Sequence, residues 1–369
     1  MQMTHRCCAF AGRFFALALL LVLVGCSSSA DKPGAEGAAS GAPTGEGRYV
    51  VLMNGNSPFW DAVRAGMDKA AADIGVKAVL ETNDATPAGQ IEKLRQFGTQ
   101  ADIVAVGISA TDAANVAIAD ELRKLREKGV IILTIDSDID RQKFRDARVA
   151  FVGTDNLAGG RELGIAAKGL RPDGGAFVQF VGRTGAQNAI ERMDGFVQGA
   201  GDKFKELDRM GDENDRTRSR DNVRNAIRNH PDLNTLVGIW SYNAPAIADV
   251  VRELGKRKDM TIVAFDAEPN AIEQMGTGDI DAMIVQNPFE MGNQGIRLMK
   301  ALVTDDKATV AEMLPNLGQP DGDLIDTGLK VVVPDEGSAL KPEQFSSKTE
   351  FLKLSDFKAW LDKYGLTGS

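Results

Sequence analysis

Short runs of apolar, β-branched residues alternate with amphipathic helical stretches, and this alternation constrains the fold more than any other property of the chain. RYVVLMNG (48–55) leads into a helix expected from about Pro58, with Ser57 placed to cap it and proline suited to a first turn whose amide hydrogen has no partner. Ala62, Val63, Met67, Ala70, Ala71 and Ile74 then recur at helical spacing, and Gly75 stops the helix. VKAVLE, the capped helix TPAGQIEKLRQFG with Ile91, Leu94 and Phe97 inward, ADIVAVGI, DAANVAIADELRKLREKG and VIILTID repeat the unit. The rhythm restarts at GGAFVQFVG (174–182) and runs through AIERMDGFVQGAG, the polar stretch DENDRTRSRDNVRNAIRNHP, LNTLVGIW, APAIADVVRELG, MTIVAFD and IDAMIVQ. Strands that are apolar almost throughout, separated by such helices, require parallel sheets covered on both faces. The expectation is an α/β fold of two doubly wound parallel-sheet lobes.

Ahead of this body stands MQMTHRCCAFAGRFFALALLLVLVGC. Arg6 and Arg13, an apolar run from Phe14 to Val24 and a small-residue end read as an export signal, too short for a comfortable bilayer span. The following SSSADKPGAEGAASGAPTGEGR is too poor in apolar groups to offset the entropy of ordering and reads as a flexible tether. The formal charge of −9 carries no basic cluster that stands clear of acidic neighbours, so nucleic acid is not an expected partner.

Doubly wound sheets bind ligands outside the carboxyl ends of their strands. Those ends carry Asn54, Asn56 and Ser57 leading to Phe59 and Trp60, then Ser109 and Thr111, then Asp136, Ser137 and Asp138. In the second unit they carry Arg183 and Asn188, then Trp240, Ser241, Tyr242 and Asn243, then Asp266, then Gln286 and Asn287. Aromatic faces suit C–H surfaces, while carboxylates and amides pair with hydroxyls, so the pattern fits a neutral, polyhydroxylated ligand. The candidate ligand-binding set is Asn56, Ser57, Phe59, Trp60, Asp136, Asp138, Asn188, Trp240, Asn243, Asp266 and Gln286. Arg192 could reach the same space or merely pair with an acid, and Asp155 reads more as a hinge or helix-cap residue.

NGNSPFWDAVRAGMDKAAADIGVKAVL, TIDSD, VGTDNLAGGRELG, ERMDGF and IVAFDAEPNAIEQMGTGDIDAMIVQNPFEMG, in this order, resemble the periplasmic sugar-binding proteins of bacterial ABC importers, of the ribose-binding type. LVGC resembles the lipobox of bacterial lipoproteins. The resemblance implies two lobes joined by a three-strand hinge with the ligand cleft between them, the type I periplasmic binding fold. It divides the chain into a signal peptide (1–25), a tether (26–48), an N-terminal lobe (49–154 with 287–315), a C-terminal lobe (155–286 with 316–337) and a C-terminal extension (338–369). It implies Cys26 as lipid anchor at the periplasmic or cell surface, an ABC permease in the inner membrane as partner, and a monomer. Asp136 and Asp266 match the carboxylates that hold hydroxyls from opposite lobes, Gln286 the hinge-side amide, and Phe59 and Trp60 the aromatic pair. Two guanidinium groups of the pattern are expected to be lost: Ser137 replaces one arginine, and Ile190, just before ERMDGF, replaces another, with Asn188 or Arg183 available for that space. The usual asparagine near WSYNAP falls on Tyr242 or Asn243. Serine cannot imitate a bidentate guanidinium fork, so ribose itself is not carried over. A pentose, hexose, sugar alcohol or cyclitol fits equally.

No catalytic residues, cofactors or metal are expected. Past the signal the one histidine is His230, in a helix-stop context far from the expected cleft, and nucleophile elbow, P-loop and dinucleotide fingerprint are all missing. DSDIDRQ and PDGDLID lack the spacing of a calcium loop. Paired carboxylates keep a glycoside-processing enzyme as the reading from another class, and a sugar-sensing lipoprotein signalling to a membrane receptor as the reading from the same one. In the extension, Leu354, Phe357, Trp360 and Leu361 mark a helix expected to pack on one lobe.

Overall fold

A computed structural model describes residues 45–369; the signal peptide, Cys26 and nearly all of the tether lie outside them. Strand and helix alternate as the sequence requires. The first unit runs β1 (Arg48–Leu52), α1 (Phe59–Ile74), β2 (Lys77–Glu81), α2 (Pro87–Phe97), β3 (Ile103–Ile108), α3 (Val116–Glu127), β4 (Ile131–Ile135), α4 (Arg141–Phe144) and β5 (Ala150–Gly153). The second runs α5 (Asn156–Leu170), β6 (Gly175–Val181), α6 (Gln187–Ala200), β7 (Phe204–Gly211), α7 (Arg216–Asn229), β8 (Leu233–Gly238), α8 (Asn243–Glu253), β9 (Thr261–Phe265), α9 (Pro269–Gly276) and β10 (Ala282–Val285). Then come α10 (Pro288–Val303), α11 (Lys307–Met313), β11 (Leu324–Asp326), β12 (Leu329–Val333), β13 (Thr349–Lys353) and α12 (Leu354–Lys363).

Two sheets result, in the orders β11-β5-β4-β3-β1-β2 and β13-β12-β10-β9-β8-β6-β7. Every pairing is parallel except β10 with β12. The chain crosses between the sheets after β5, after β10 and after β11, which makes the three-strand hinge. Thr327 closes the last crossing onto the first, its amide and its hydroxyl both donating to the Gly153 carbonyl, at 2.7 and 3.0 Å.

Local chemistry explains most boundaries. Thr86 caps α2 by accepting from the Gly89 amide, and Gly75 ends α1 in the left-handed region. Ser57 departs from expectation: α1 has no side-chain cap, and the Ser57 carbonyl accepts from the Trp60 amide instead. Two apolar clusters sandwich each sheet, with Val50, Leu52, Val106 and Ile132 on one side of the first sheet and Val51, Ala105, Leu133 and Ile135 on the other.

Two segments sit differently from the sequence expectation. The resemblance places residues 316–337 together in the second lobe, but Leu324–Asp326 pair with β5 on the first sheet, so the crossing falls at Thr327 and Gly328. The cause is a buried ion cluster: Arg148 pairs with Asp323 and Asp138, and Arg145 with Asp323, which fastens the approach to β11 onto the first lobe. The extension does more than pack a helix. Its β13 adds a parallel edge strand to β12, and α12 buries Leu354, Phe357 and Leu361.

Helix α6 is held close to α5. A Cβ added to Gly160 would lie 2.3 Å from the Arg192 carbonyl oxygen, and one added to Gly195 would lie 2.4 Å from that of Leu157. Only hydrogen fits there, so the two backbones touch and α6 is fixed in place.

Candidate functional site

Asp136 and Asp266 occupy equivalent positions, each the residue after an apolar strand, β4 in one lobe and β9 in the other. Both have φ of 65°, a left-handed conformation that costs a non-glycine residue about 1–2 kcal/mol. Each is held there by its amide, which donates to the neighbouring strand: to Val152 O at 3.1 Å and to Ile284 O at 2.7 Å. The turn lifts both carboxylates off the strand ends into the space between the lobes.

Arg192 lies between them. Its Nη2 is 4.0 Å from Asp136 Oδ1 and its Nη1 3.6 Å from Asp266 Oδ2. The guanidinium stacks over the Phe265 ring at 3.9 Å, and Asn156 Oδ1 accepts from its Nε at 2.8 Å. Those contacts aim the fork, yet Nη2 is buried without a hydrogen-bond partner. Sequence reasoning expected both arginines of the pattern to be lost; Ser137 stands as read, but Arg192 brings a guanidinium into the cleft from one helical turn beyond Asn188. The i, i+4 spacing on α6 was the available signal.

Around this core is a cleft of about 400 Å³ lined by Asn54, Gly55, Asn56, Ser57, Phe59, Trp60, Asp136, Asn188, Arg192, Asn214, Trp240, Ser241, Tyr242 and Asp266. Phe59 and Trp60 meet edge to face, with centroids 5.3 Å apart, at the start of α1. Asp136 accepts from the Ser109 hydroxyl at 2.7 Å and from Asn54 and Asn188 at 3.4 Å. Asn188 comes from the second lobe and in turn accepts from Trp240 Nε1 at 3.2 Å, so a polar chain runs across the cleft. Further out, the Ala113 amide donates to the Gly185 carbonyl at 3.1 Å and Arg141 lies 3.5 Å from Glu191, both between lobes.

Eight of the eleven candidates thus share one cavity, and three do not. Asp138 is turned away from the cleft, its carboxylate held by Arg148 at 2.6 and 2.8 Å, by Arg141 and by Thr134. Burial alone would raise its pKa, but those cations outweigh burial and hold it below the usual carboxylate value. It is a structural ion pair rather than a ligand contact. Asn243 is fully buried at the start of α8, accepting from the Trp240 amide and donating to Asp212 and Ser219. Gln286 stands behind the wall, its Nε2 donating to Asp266 Oδ1 at 2.8 Å. Sequence reasoning also passed over Asn214, in the turn after β7 with φ of 65°; its Nδ2 is buried and unpartnered.

Two carboxylates and one guanidinium leave the cleft with an unmatched negative charge. Burial pushes Asp266 up to about 7, with Arg192 and Gln286 opposing and Asp136 and Glu268 adding to the rise. Asp136 is also raised by burial, against Arg192, Ser109 and Asn188. Burial draws Arg192 below its ordinary value, while Asp266 and Asp136 hold it up. An acid whose folded pKa is raised gives the fold stability below its unfolded value, near 4, and loses it as pH climbs to about 7. We expect Asp266→Asn to flatten the decline of melting temperature between pH 4 and 7, a difference on the order of 2–4 kcal/mol. Parallel pH profiles of the two proteins would refute the assignment.

Comparison with known sequences decides the family. The periplasmic binding protein domain matches residues 48–307. The chain belongs to the periplasmic binding protein domain family. Within reach of this periplasmic binding protein are the ribose import binding protein of Salmonella typhimurium, 24% identical over 70% of this chain and 85% of that protein, and the D-allose-binding periplasmic protein of Escherichia coli, 23% identical over 75% and 90%. A solute-binding protein of Burkholderia graminis solved with D-arabinose superposes with a TM-score of 0.69 at 24% identity, covering 78% of this chain and 95% of its own. One from Agrobacterium vitis with bound D-fucose gives 0.69 at 21% identity, covering 81% and 98%. These structural likenesses establish the two-lobed fold. Among the described residues no group of three or more His, Cys, Asp or Glu side chains could hold a metal ion.

Proposed function

We propose that this chain is an extracytoplasmic solute-binding protein that encloses a neutral sugar, sugar alcohol or cyclitol between its lobes and delivers it to an ABC permease in the inner membrane. The reading includes lipid anchoring through Cys26 and action as a monomer. The observation that carries it is the convergence of Asp136 and Asp266, from equivalent strand ends of opposite lobes, on one guanidinium in a cleft walled by Phe59, Trp60 and Trp240. Carboxylates accept from ligand hydroxyls, Arg192 Nη2 donates to a ligand oxygen, and the rings cover C–H faces. Relatives named for ribose and D-allose support the ligand class.

The mechanism is a shift of population. Each open lobe offers half a site, and a ligand that touches both stabilises the closed arrangement by its differential affinity. Exclusion of water then strengthens the bonds it makes. A thermal-shift screen of pentoses, hexoses, polyols and inositols tests the reading: at least one compound is expected to raise the melting temperature, and a panel with no effect would reject it.

With a hit in hand, Asp136→Ala and Asp266→Ala are each expected to weaken binding at least tenfold, about 1.4 kcal/mol, with the fold intact. Calorimetry returning wild-type affinity in both variants would overturn the placement of the ligand. Hydroxyl donors favour the ionised form of Asp266, so affinity is expected to fall roughly tenfold between pH 8 and pH 6 as that carboxyl takes up its proton.

A further inference from the structure

The last residues described run back to the ligand site from behind. Ser369 is buried and pairs with Ala267, the residue after Asp266: the Ala267 amide donates to Ser369 O at 2.7 Å and the Ser369 amide to Ala267 O at 3.0 Å. Its hydroxyl donates to the Gln286 carbonyl at 3.0 Å. Gln286 is the residue whose side chain holds the Asp266 carboxylate. One residue thus grips both the backbone beside the carboxylate and the backbone of its amide partner.

The first lobe shows what this replaces. There the residue after the equivalent aspartate is Ser137, and its carbonyl accepts from the Ala110 amide at 3.0 Å, on the loop leaving the neighbouring strand β3. In the second lobe the matching carbonyl takes its donor from a segment a hundred residues further along the chain. Ala267 has no exposed surface, and Ser369 supplies the hydrogen-bond partner of both its amide and its carbonyl. This pair braces the left-handed turn at Asp266 on the side away from the bond between the Asp266 amide and Ile284 O.

The path of the segment fits it to this task. Trp360 on α12 and Tyr364, just past its end, have ring centroids 5.4 Å apart, and the Tyr364 ring lies 4.8 Å from that of Phe289, which belongs to α10 of the first lobe just past the second crossing. Leu366 joins an apolar cluster with Ala267 and Ala271, and Ala62 of α1 belongs to the same cluster. Gly368 passes so close to the α9 approach that an added Cβ would lie 2.7 Å from Ala267 O and 3.0 Å from Pro269 Cδ. Glu162 of α5 anchors the other end of the extension, accepting from the Ser346 amide and the Thr349 hydroxyl.

We propose that Thr367–Ser369 is a positioning segment of the ligand site, setting the Asp266 carboxylate for its ligand by pairing with Ala267 and Gln286. This rests on the sugar-binding reading above. Two variants test it: deletion of Thr367–Ser369, and Gly368→Val, which keeps the length and wedges the segment away from Ala267. The readouts are calorimetric affinity for D-ribose, D-allose, D-arabinose, D-fucose and D-tagatose, and hydrogen exchange of the backbone at 265–268. Both variants are expected to weaken whichever of these sugars the unaltered chain binds by at least tenfold and to speed exchange at 265–268 by a similar factor. In an Asp266→Asn background the deletion should cost less than threefold, because the group it positions is gone. A lowered melting temperature with unchanged affinity, or losses that multiply independently of Asp266→Asn, would overturn the proposal. If none of the five sugars binds the unaltered chain, the ligand reading is what has failed for them; the segment is then judged by exchange alone, and unchanged exchange at 265–268 overturns it.

Discussion

Arg192→Met is expected to abolish useful binding, weakening affinity at least a hundredfold, and to lower stability by about 3–5 kcal/mol. Methionine keeps an unbranched stem and removes the guanidinium, with its stack on Phe265 and its bonds to Asn156 Oδ1 and the Ile239 carbonyl. What remains is a pair of buried carboxylates, Asp136 and Asp266, with no other cation paired to either among the described residues. Breaking a buried ionic group by deleting one partner is costly because the others stay desolvated. The affinity loss has two sources: the charged bond from Nη2 to the ligand, about 1.5–3 kcal/mol, and the misplacement of both carboxylates. The sign of the pH response separates this from simple loss of packing. Without Arg192 both acids move further up, so the variant should recover stability as pH falls toward 5 and the carboxylates take up protons. Melting curves between pH 5 and 8 check this, and a deficit independent of pH would contradict the electrostatic account. Adding Asp266→Asn to Arg192→Met should restore part of the stability and none of the affinity.

Asp138→Ala is expected to show the opposite division, a loss of about 3 kcal/mol in stability with ligand affinity within twofold of the parent. Arg148 is wholly buried and donates two bonds to Asp138, at 2.8 and 2.6 Å, and one to Asp323 at 2.5 Å. Removing Asp138 leaves most of that guanidinium unpaired in the protein interior. The same cluster pushes Asp323 down to about 2, since its bonds to Arg145 and Arg148 outweigh burial. It fastens β11 to the first lobe. Thermal melting and calorimetry on one preparation measure both effects, and a tenfold loss of affinity would return Asp138 to the cleft wall.

Most of the fold was legible because apolar periodicity is a local signal. Strands buried on both faces, such as VIILTID and MTIVAFD, can be read without knowing their neighbours. The edge strand β7 could not: FKELDRMG is half-exposed along most of its length, and its residues neither alternate cleanly nor form an apolar run. β11 was missed for a related reason. Three residues carry no period, and the Arg148 to Asp323 pair that places them joins positions 175 apart in sequence.

The cleft was legible where strand ends dictated it, so Asp136, Asp266, Phe59, Trp60 and Trp240 meet in one space. Errors came where a polar residue had a second use. DSDID offers three aspartates at alternate positions; Asp140 caps α4, and the long-range Arg148 draws Asp138 into the interior while Asp136 faces the cleft. WSYNAP likewise offers Tyr242 and Asn243; Asp212 claims Asn243, and Tyr242 remains on the wall while also donating to Asp212. Burial, followed by that carboxylate, raises the Tyr242 phenol well above its usual pKa, so it stays a donor. Arg192 lies two residues past Ile190, where the motif places its arginine, and the sequence leaves it open between the cleft and an ion pair. Counting helical turns from Asn188 puts both side chains on one face.

The most direct measurement is a crystal structure of the chain with the compound that gives the largest thermal shift. The account predicts one ligand per chain in the cleft, with hydroxyl oxygens within about 3 Å of both the Asp136 and the Asp266 carboxylates and an oxygen on Arg192 Nη2. A ligand bound elsewhere, or one that touches a single lobe and leaves either aspartate without contact, would contradict it.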